Sequence, residues 1–373
     1  MKFGNYVYLD SYATVPCSLE NSKYINKYLS NLNPSASYAP KERAIVDNLR
    51  KFLSNYFKTN AINIIFNSGG SEGNDTVINS FGIFKKGNIV CSALDHPCII
   101  NKFRELKSYN VDTRVAKLEN GELKLNNLLP LIDYSTTLVI LTYVFSELGA
   151  INNIYEIAKE IKKRFPRIHI HVDAVQAFMK TKLPITTDNI DSIAVSFHKV
   201  GALKGAGALW IKYPKAVEPL ISGEQNYGLR GGTIAVANLA SAYYALGEVN
   251  KLNQITDSKL LNYLVRNIHS AFGKDAFIFT DLKTALGNCC VFSIKDVCGK
   301  DIQEALFNMK ILVGRGSACK SNSDALSPAI KSFNLPEYFR SPIRVSWNKR
   351  SSQKCIDLFL NNLIPIVKTL KKL

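Results

Sequence analysis

Between residues 60 and 250, short apolar runs of strand length alternate with longer stretches whose apolar positions recur at helical spacing. AINIIFNS (61–68), NIVCSA (88–93), TTLVILTYV (136–144), HIHVDAV (169–175) and DSIAVSFH (191–198) read as strands. GGSEGND opens a helix after the first of them, with Ser71, Asn74 or Asp75 available as its cap. DHPCIINKFRELKSY (95–109) reads as a second helix. NNIYEIAKEIKKRF (152–165) is amphipathic, with apolar residues at 154, 157, 158 and 161. Regular strand–helix alternation predicts an α/β fold whose mostly parallel sheet is covered by helices. After residue 250 the rhythm changes. NCCVFSI (288–294), KILVGRG (310–316) and IRVSW (343–347) read as strands and DIQEALFNM (301–309) as a helix, which suits a smaller α+β unit. No internal repeat or low-complexity linker marks the junction.

Composition narrows the class. The chain has 373 residues, 46% of them hydrophobic and 21% charged, an ordinary globular balance. Runs such as LKLNNLLPLI (123–132) are interrupted and shorter than a membrane span needs. The opening MKFGNYVYLD lacks the apolar core of a signal peptide, so a cytoplasmic protein is expected. The eight cysteines form no CxxC units, so no metal site is expected. Cys91 and Cys289-Cys290 sit in apolar runs and read as small buried hydrophobes. A net charge of +17 raises the question of an acidic partner. The basic residues are scattered, without interleaved aromatics, so a solvated surface is expected and direct nucleic-acid binding is not.

Four segments carry candidate chemistry, most of them at strand ends, where open α/β sheets place their sites. SGGSEGND (68–75) is a glycine-rich strand-to-helix turn, either an anion cradle suited to phosphate or a plain tight turn. Asp173 closes an apolar strand, either as the partner of a cation or protonated ring nitrogen, or as a cap for the next element. Lys199 stands just after a buried strand, flanked by Ser196 and His198. Desolvation there favours the free amine that forms a Schiff base, the alternative being a structural lysine with its head in water. Cys319 lies in VGRGSACKSNS (313–323), a Gly/Ser-rich stretch that reads as a mobile loop, between Arg315 and Lys320, whose charges favour thiolate. Anion turn, ring-nitrogen carboxylate, amine and thiol together match what pyridoxal phosphate requires of a protein.

Nine segments in order, YLDSYAT (8–14), NPSAS (33–37), SGGSEGN (68–74), DHPC (95–98), HVDAVQ (171–176), SFHK (196–199), GLRGGT (228–233), GRGSACKS (314–321) and IRVS (343–346), run nearly end to end. In order and spacing they resemble a cysteine desulfurase of the class V aminotransferase family, in the fold-type I group of pyridoxal phosphate enzymes. The resemblance implies a large cofactor-binding domain over 15–250. It implies a small domain from 1–14 and 251–373 that carries a mobile cysteine loop at about 314–327. It implies that Lys199 holds pyridoxal 5'-phosphate and that Asp173 pairs with its ring nitrogen. Gly70, Ser71, Ser196 and His198 would hold the phosphate, with Thr233 from the second subunit of a homodimer. His96 would stack on the ring and move protons, and Gln176 would bond its phenolic oxygen. Asn33 and Arg344 would bind the substrate carboxylate. L-Cysteine would become L-alanine, its sulfur passing to Cys319 as a persulfide. An acceptor protein, either an iron–sulfur scaffold or a tRNA-thiolation enzyme, would then take the sulfur.

VFSELG (144–149) departs from the family pattern, with Phe145 and Ser146 where two asparagines are usual. Ser146 is shorter, so its bond to the phenolic oxygen would be lost or run through water. Phe197 stands where glycine is common, and SGEQNYGLRGGT (222–233) is an irregular glycine segment. Other readings keep distinct predictions. A selenocysteine lyase or another β-eliminating lyase would share the cofactor. A serine hydrolase would use Ser71, Asp173 and His198, in α/β-hydrolase order within a G-x-S-x-G frame. A non-catalytic basic protein would bind nucleic acid in a salt-sensitive way.

Overall fold

A computed structural model describes residues 2–183, 189–251, 258–316 and 326–372. Its strands in chain order are β1 (Lys2–Phe3), β2 (Tyr6–Leu9), β3 (Ile64–Asn67), β4 (Asn88–Ser92), β5 (Asp112–Ala116), β6 (Thr136–Thr142) and β7 (His169–Asp173). They continue as β8 (Ser192–Ser196), β9 (Gly207–Ile211), β10 (Ala276–Ile278), β11 (Cys289–Ile294), β12 (Ile311–Val313) and β13 (Ile343–Ser346). The main sheet has seven strands in the order β3-β9-β8-β7-β6-β4-β5. Neighbours from β8 to β5 pair in parallel, and β9 alone runs against the rest. The expected mostly parallel sheet is therefore present. Two of its strands, β5 and β9, escaped the pattern reading. DTRVA in β5 is an edge strand with charged and polar positions, so it lacks an apolar run.

Alternate residues of each central strand enter different cores, because strand side chains repeat with period two. Val139 and Leu141 of β6 join one apolar cluster with Leu49 and Leu53 of the helix Pro40–Phe57 and Leu239 and Leu246 of the helix Val236–Lys251. Leu138 and Ile140 join the opposite cluster with Ile78 and Phe81 of the helix Gly70–Gly82 and Phe103 of the helix Pro97–Ser108. Each such side chain contributes about 1.5–3 kcal/mol by leaving water. A slip of one residue would exchange the faces, so register is tightly set.

A third apolar cluster gathers the helices Lys259–Phe272, Gly299–Asn308 and Gln353–Leu370 around β2, β11, β12 and β13. Two small sheets, ordered β1-β2-β12 and β10-β11-β13, frame it. The chain after β2 bridges Asp10 to Ser346, and Gly314 bridges Arg344. These contacts carry the segment Asp10–Thr14 from the small sheets to the end of β8. Cys91, Cys289 and Cys290 are buried, as their apolar frames predict. No helix among the described residues is long and apolar enough to cross a membrane.

One local expectation is corrected. The helix Gly70–Gly82 begins with Gly69 as its cap, without a side-chain bond, so Ser71, Asn74 and Asp75 all lie inside it. Gly69 takes φ 148°, a conformation that side chains rarely adopt, and Asn67 Oδ1 and Glu72 Oε2 accept the Gly69 and Ser68 N–H groups just before the helix.

Candidate active site

The parallel strands all end on one edge of the sheet, and their carboxyl ends converge on a cavity of about 230 Å³. Gly70, Ser71, Asn74, His96, Ser146, Asp173, Gln176, Ser196, His198, Lys199 and Arg344 line it, with Tyr12 and Cys98. Sequence reasoning named all of these as site residues except Asn74, Tyr12 and Cys98.

Asp173 ends β7 and is buried. Its Oδ2 accepts from Asn74 Nδ2 at 2.8 Å and its Oδ1 from the Val175 N–H at 3.0 Å. Lys199 stands in the turn Phe197–Val200 after β8, where Nζ donates to the Tyr12 and Ala13 carbonyls at 2.5 and 2.9 Å. His198 turns Nδ1 to Thr14 Oγ1 at 3.0 Å. Burial, then the charges of Lys199 and Lys180, push it down to about 4. Glycine at position 70 answers to space. A Cβ there would lie 2.3 Å from Val175 Cγ2, so the helix start lies flush against the turn after Asp173.

His96 caps the helix Pro97–Ser108, its Nδ1 accepting from the Cys98 N–H at 3.2 Å. Burial lowers its pKa, with Asp173 opposing and Lys199 adding to the fall. Gln176 is buried, donating to the Tyr12 carbonyl at 2.8 Å and accepting from Lys180 Nζ at 3.0 Å. Burial draws Lys180 down to about 7, helped by Lys199. Arg344 is fully buried in β13, with Nη2 on Asp10 Oδ1 at 2.8 Å and Nη1 on the Ser146 carbonyl at 2.9 Å. Its Nε is buried without a hydrogen-bond partner. Arg344 is thus a buried cation, paired with Asp10 and held in one orientation at the wall of the cavity.

Three expected residues are not part of this cluster. Asn33 is exposed and accepts from the Ser35 N–H at 3.0 Å, and Thr233 is exposed in a loop. Neither lines the cavity. Cys319 lies outside the described residues, and so does most of the loop at about 314–327. Gly314, at the entry of that loop, exchanges backbone bonds with Arg344 at 2.8 and 2.9 Å. The serine-hydrolase constellation is not assembled. Asp173 gives its oxygens to Asn74 and Val175 while His198 turns to Thr14, so no Ser–His–Asp relay forms.

The donor set fits pyridoxal phosphate in kind. A close-packed helix start suits the phosphate, a buried carboxylate a protonated ring nitrogen, and an amine beside them the carbonyl carbon. Asn74 was missed as a site residue, and so was His171 behind it, whose Nε2 lies 2.9 Å from Asn74 Oδ1. The signal was available, since HIHVD places His169, His171 and Asp173 on one strand face by period two, and Asn74 stands three residues after Ser71 on a helix.

Comparison with known proteins agrees with this geometry. A cysteine desulfurase of Nostoc sp. is 28% identical over 98% of this chain and 94% of its own. A mitochondrial cysteine desulfurase of Drosophila melanogaster is 29% identical, over 99% and 82%. Among solved structures, a NifS-like protein superposes with a TM-score of 0.88 at 22% identity, covering 98% of this chain and 100% of that one. SspA in complex with cysteine gives 0.78 at 24%, covering 91% and 98%. At these identities the structures speak for the fold. The model of the aminotransferase class-V family matches residues 7–359, and the chain belongs to that family.

Proposed function

We propose that the protein is a pyridoxal-phosphate-dependent cysteine desulfurase that converts L-cysteine to L-alanine and keeps the sulfur on Cys319. The observation that carries this is one cavity bringing together Lys199, buried Asp173, the Gly70 helix start and buried Arg344. Full-length similarity to cysteine desulfurases supports the substrate.

Gly70, Ser71, Ser196 and His198 would hold the cofactor's phosphate, joined by Thr233 from the second copy in a homodimer. His96 would cover the ring, Gln176 would bond its phenolic oxygen, and Asp173 would keep the ring nitrogen protonated. The cofactor, when bound, delocalises the charge left at the substrate's Cα. Arg344, with Asn33, fixes the substrate carboxylate. The Lys199 amine then takes the Cα proton, and His96 relays protons at the substrate's face. Cys319 attacks the substrate sulfur as thiolate. The S–S bond forms as the substrate's Cβ–S bond breaks, its electron pair staying with the carbon that gains a proton, so cysteine plus thiol gives alanine plus persulfide. Residues 15–250 make the cofactor domain, and 1–14 with 251–373 the small domain. The sulfur then passes to an iron–sulfur scaffold or a tRNA-thiolation enzyme in the cytoplasm.

The test is the visible spectrum of the purified chain with pyridoxal phosphate, before and after L-cysteine, with alanine measured in parallel. A band that depends on Lys199 and shifts with cysteine is expected, with one alanine per Cys319 thiol and further turnover only when an added thiol reductant removes the persulfide sulfur. No band after incubation with the cofactor would end this reading.

A further inference from the structure

Behind Asp173 a file of buried polar groups leads from the cavity into the core. Asn74, His171 and Ser192 are 1%, 0% and 0% exposed, and His169 is 7% exposed. A carboxylate only accepts, so Asn74 must present its amide to Asp173 Oδ2, 2.8 Å away. The second amide hydrogen points to Cys98 Sγ at 3.6 Å. Asn74 Oδ1 is left as a pure acceptor 2.9 Å from His171 Nε2, which must therefore carry a hydrogen. In the neutral ring His171 Nδ1 is then bare, and it accepts from Ser192 Oγ at 2.8 Å. Having spent its one hydrogen, Ser192 accepts from His169 Nε2–H, also at 2.8 Å.

Each donor thus points toward the carboxylate: His169 to Ser192, to His171, to Asn74, to Asp173. Reversing any link would set two acceptors, or two hydrogens, against each other in a site without water's compensation. Bonds in such a file polarise one another in the same sense. Burial holds His171 neutral, down at about 3, so the file keeps its direction through the working pH range.

We propose that His171 is a positioning residue which, through Asn74, fixes the orientation of the Asp173 carboxylate toward the cofactor's ring nitrogen. This rests on the pyridoxal phosphate reading of the cavity. The groups that face the file are few. Asp95, His96, Cys98 and Lys199 act around Asp173, and Lys85 and Lys162 act on the His169 end. None of them reaches His171 with comparable force. Its lowering comes from burial, opposed by a hydrogen bond to the Ser192 backbone.

Two measurements test it. The first is histidine ring ¹⁵N NMR of the full chain, with and without cofactor, feasible with five histidines. The His171 signal should show the neutral ring with hydrogen on Nε2 from pH 5.5 to 8. A hydrogen on Nδ1, or titration near the ordinary value, would overturn the proposal. The second is the pH midpoint, read by ¹⁵N NMR of ring-labelled pyridoxal phosphate on the loaded protein, at which the ring nitrogen loses its proton. His171→Phe should lower it by about one unit, roughly a tenfold change in proton affinity. Ser192→Ala, a smaller change one link further out, should lower it by less while leaving the fold intact. Equal midpoints in wild type and Ser192→Ala, with His171→Phe unfolded or equal, would refute the role. A wild-type chain that takes up no cofactor would refute the functional reading instead, and the NMR result would still decide the file's direction.

Discussion

Gly70→Ala offers the sharpest test of how the cavity is built. The added Cβ would lie 2.3 Å from Val175 Cγ2 and 3.6 Å from Val175 Cβ, with Ser196 Cβ at an ordinary 3.9 Å. Val175 is β-branched and stiff, and its N–H is held by Asp173 Oδ1 at 3.0 Å, so neither side chain nor backbone can retreat cheaply. Overpacking of this kind costs about 1–3 kcal/mol. The better helix propensity of alanine returns up to about 1 kcal/mol, less in a first turn. Gly70→Ala alone should therefore destabilise by roughly 1–2 kcal/mol and weaken cofactor binding by displacing the helix start. Val175→Ala alone removes two methyl groups from a half-buried position, for about 1 kcal/mol. The double variant restores the missing space and should return close to wild type, which leaves a coupling of about 2 kcal/mol between sites in direct contact. Urea unfolding of the four proteins measures the cycle, and pyridoxal phosphate titration reads the cavity. A fully tolerated Gly70→Ala, or a double variant as unstable as the sum of the singles, would refute the steric argument.

His171 should make the fold acid-sensitive in a defined window. Its pKa is lowered to about 3 by burial against an unfolded value near 6.5, so its stabilising effect is complete above pH 6.5 and is lost as pH falls toward 3. At pH 4.5 the loss is roughly 2–3 kcal/mol. The thermal midpoint of wild type should therefore fall more steeply between pH 7 and 4.5 than that of His171→Phe, and parallel curves would sink the idea. Arg344→Lys cannot hold Asp10 and the Ser146 carbonyl together, so KM for L-cysteine should rise at least about tenfold while the cofactor band persists. An unchanged KM would remove Arg344 from substrate binding.

The parts of the molecule that show plainly in the sequence are those governed by local rules. Buried strands such as TTLVILTYV declare themselves because both faces of the central sheet must be apolar, and Leu138, Val139, Ile140 and Leu141 indeed divide between two cores. Asp173 and Lys199 stand out because charge at the end of an apolar strand is costly without a purpose. What stays hidden depends on long-range pairing. β9 escaped the pattern, and only the pairing of Gly207 with Asn67 on one side and Ser196 on the other reveals that it runs antiparallel to both neighbours. Asn74 reads as a capping residue until Asp173, almost a hundred positions later, is seen 2.8 Å from it. The glycine at 70 reads locally as part of a turn, but the space it must leave does not show there. That need comes from the bulk of Val175, packed directly against the helix start.

Position 146 shows how a departure in sequence can change its meaning in three dimensions. Serine there is shorter than asparagine, so under the proposed function its side-chain bond to the cofactor's phenolic oxygen would be lost or run through water. Yet the backbone carbonyl of Ser146 accepts from Arg344 Nη1 at 2.9 Å, a contact that any residue type supplies. Under the proposed function the substitution leaves the Arg344 side of the cavity alone and bears on the cofactor's phenolic oxygen, where Gln176 would be the remaining donor. Ser146→Asn tests this division. One added hydrogen bond to a charged oxygen contributes about 1.5–3 kcal/mol, so pyridoxal phosphate should bind about tenfold or more tightly and its visible band should move. KM for L-cysteine should stay within about twofold, because Arg344 keeps both its partners. A variant whose KM changes as much as its cofactor affinity would mean that the two halves of the cavity are not separable at residue 146.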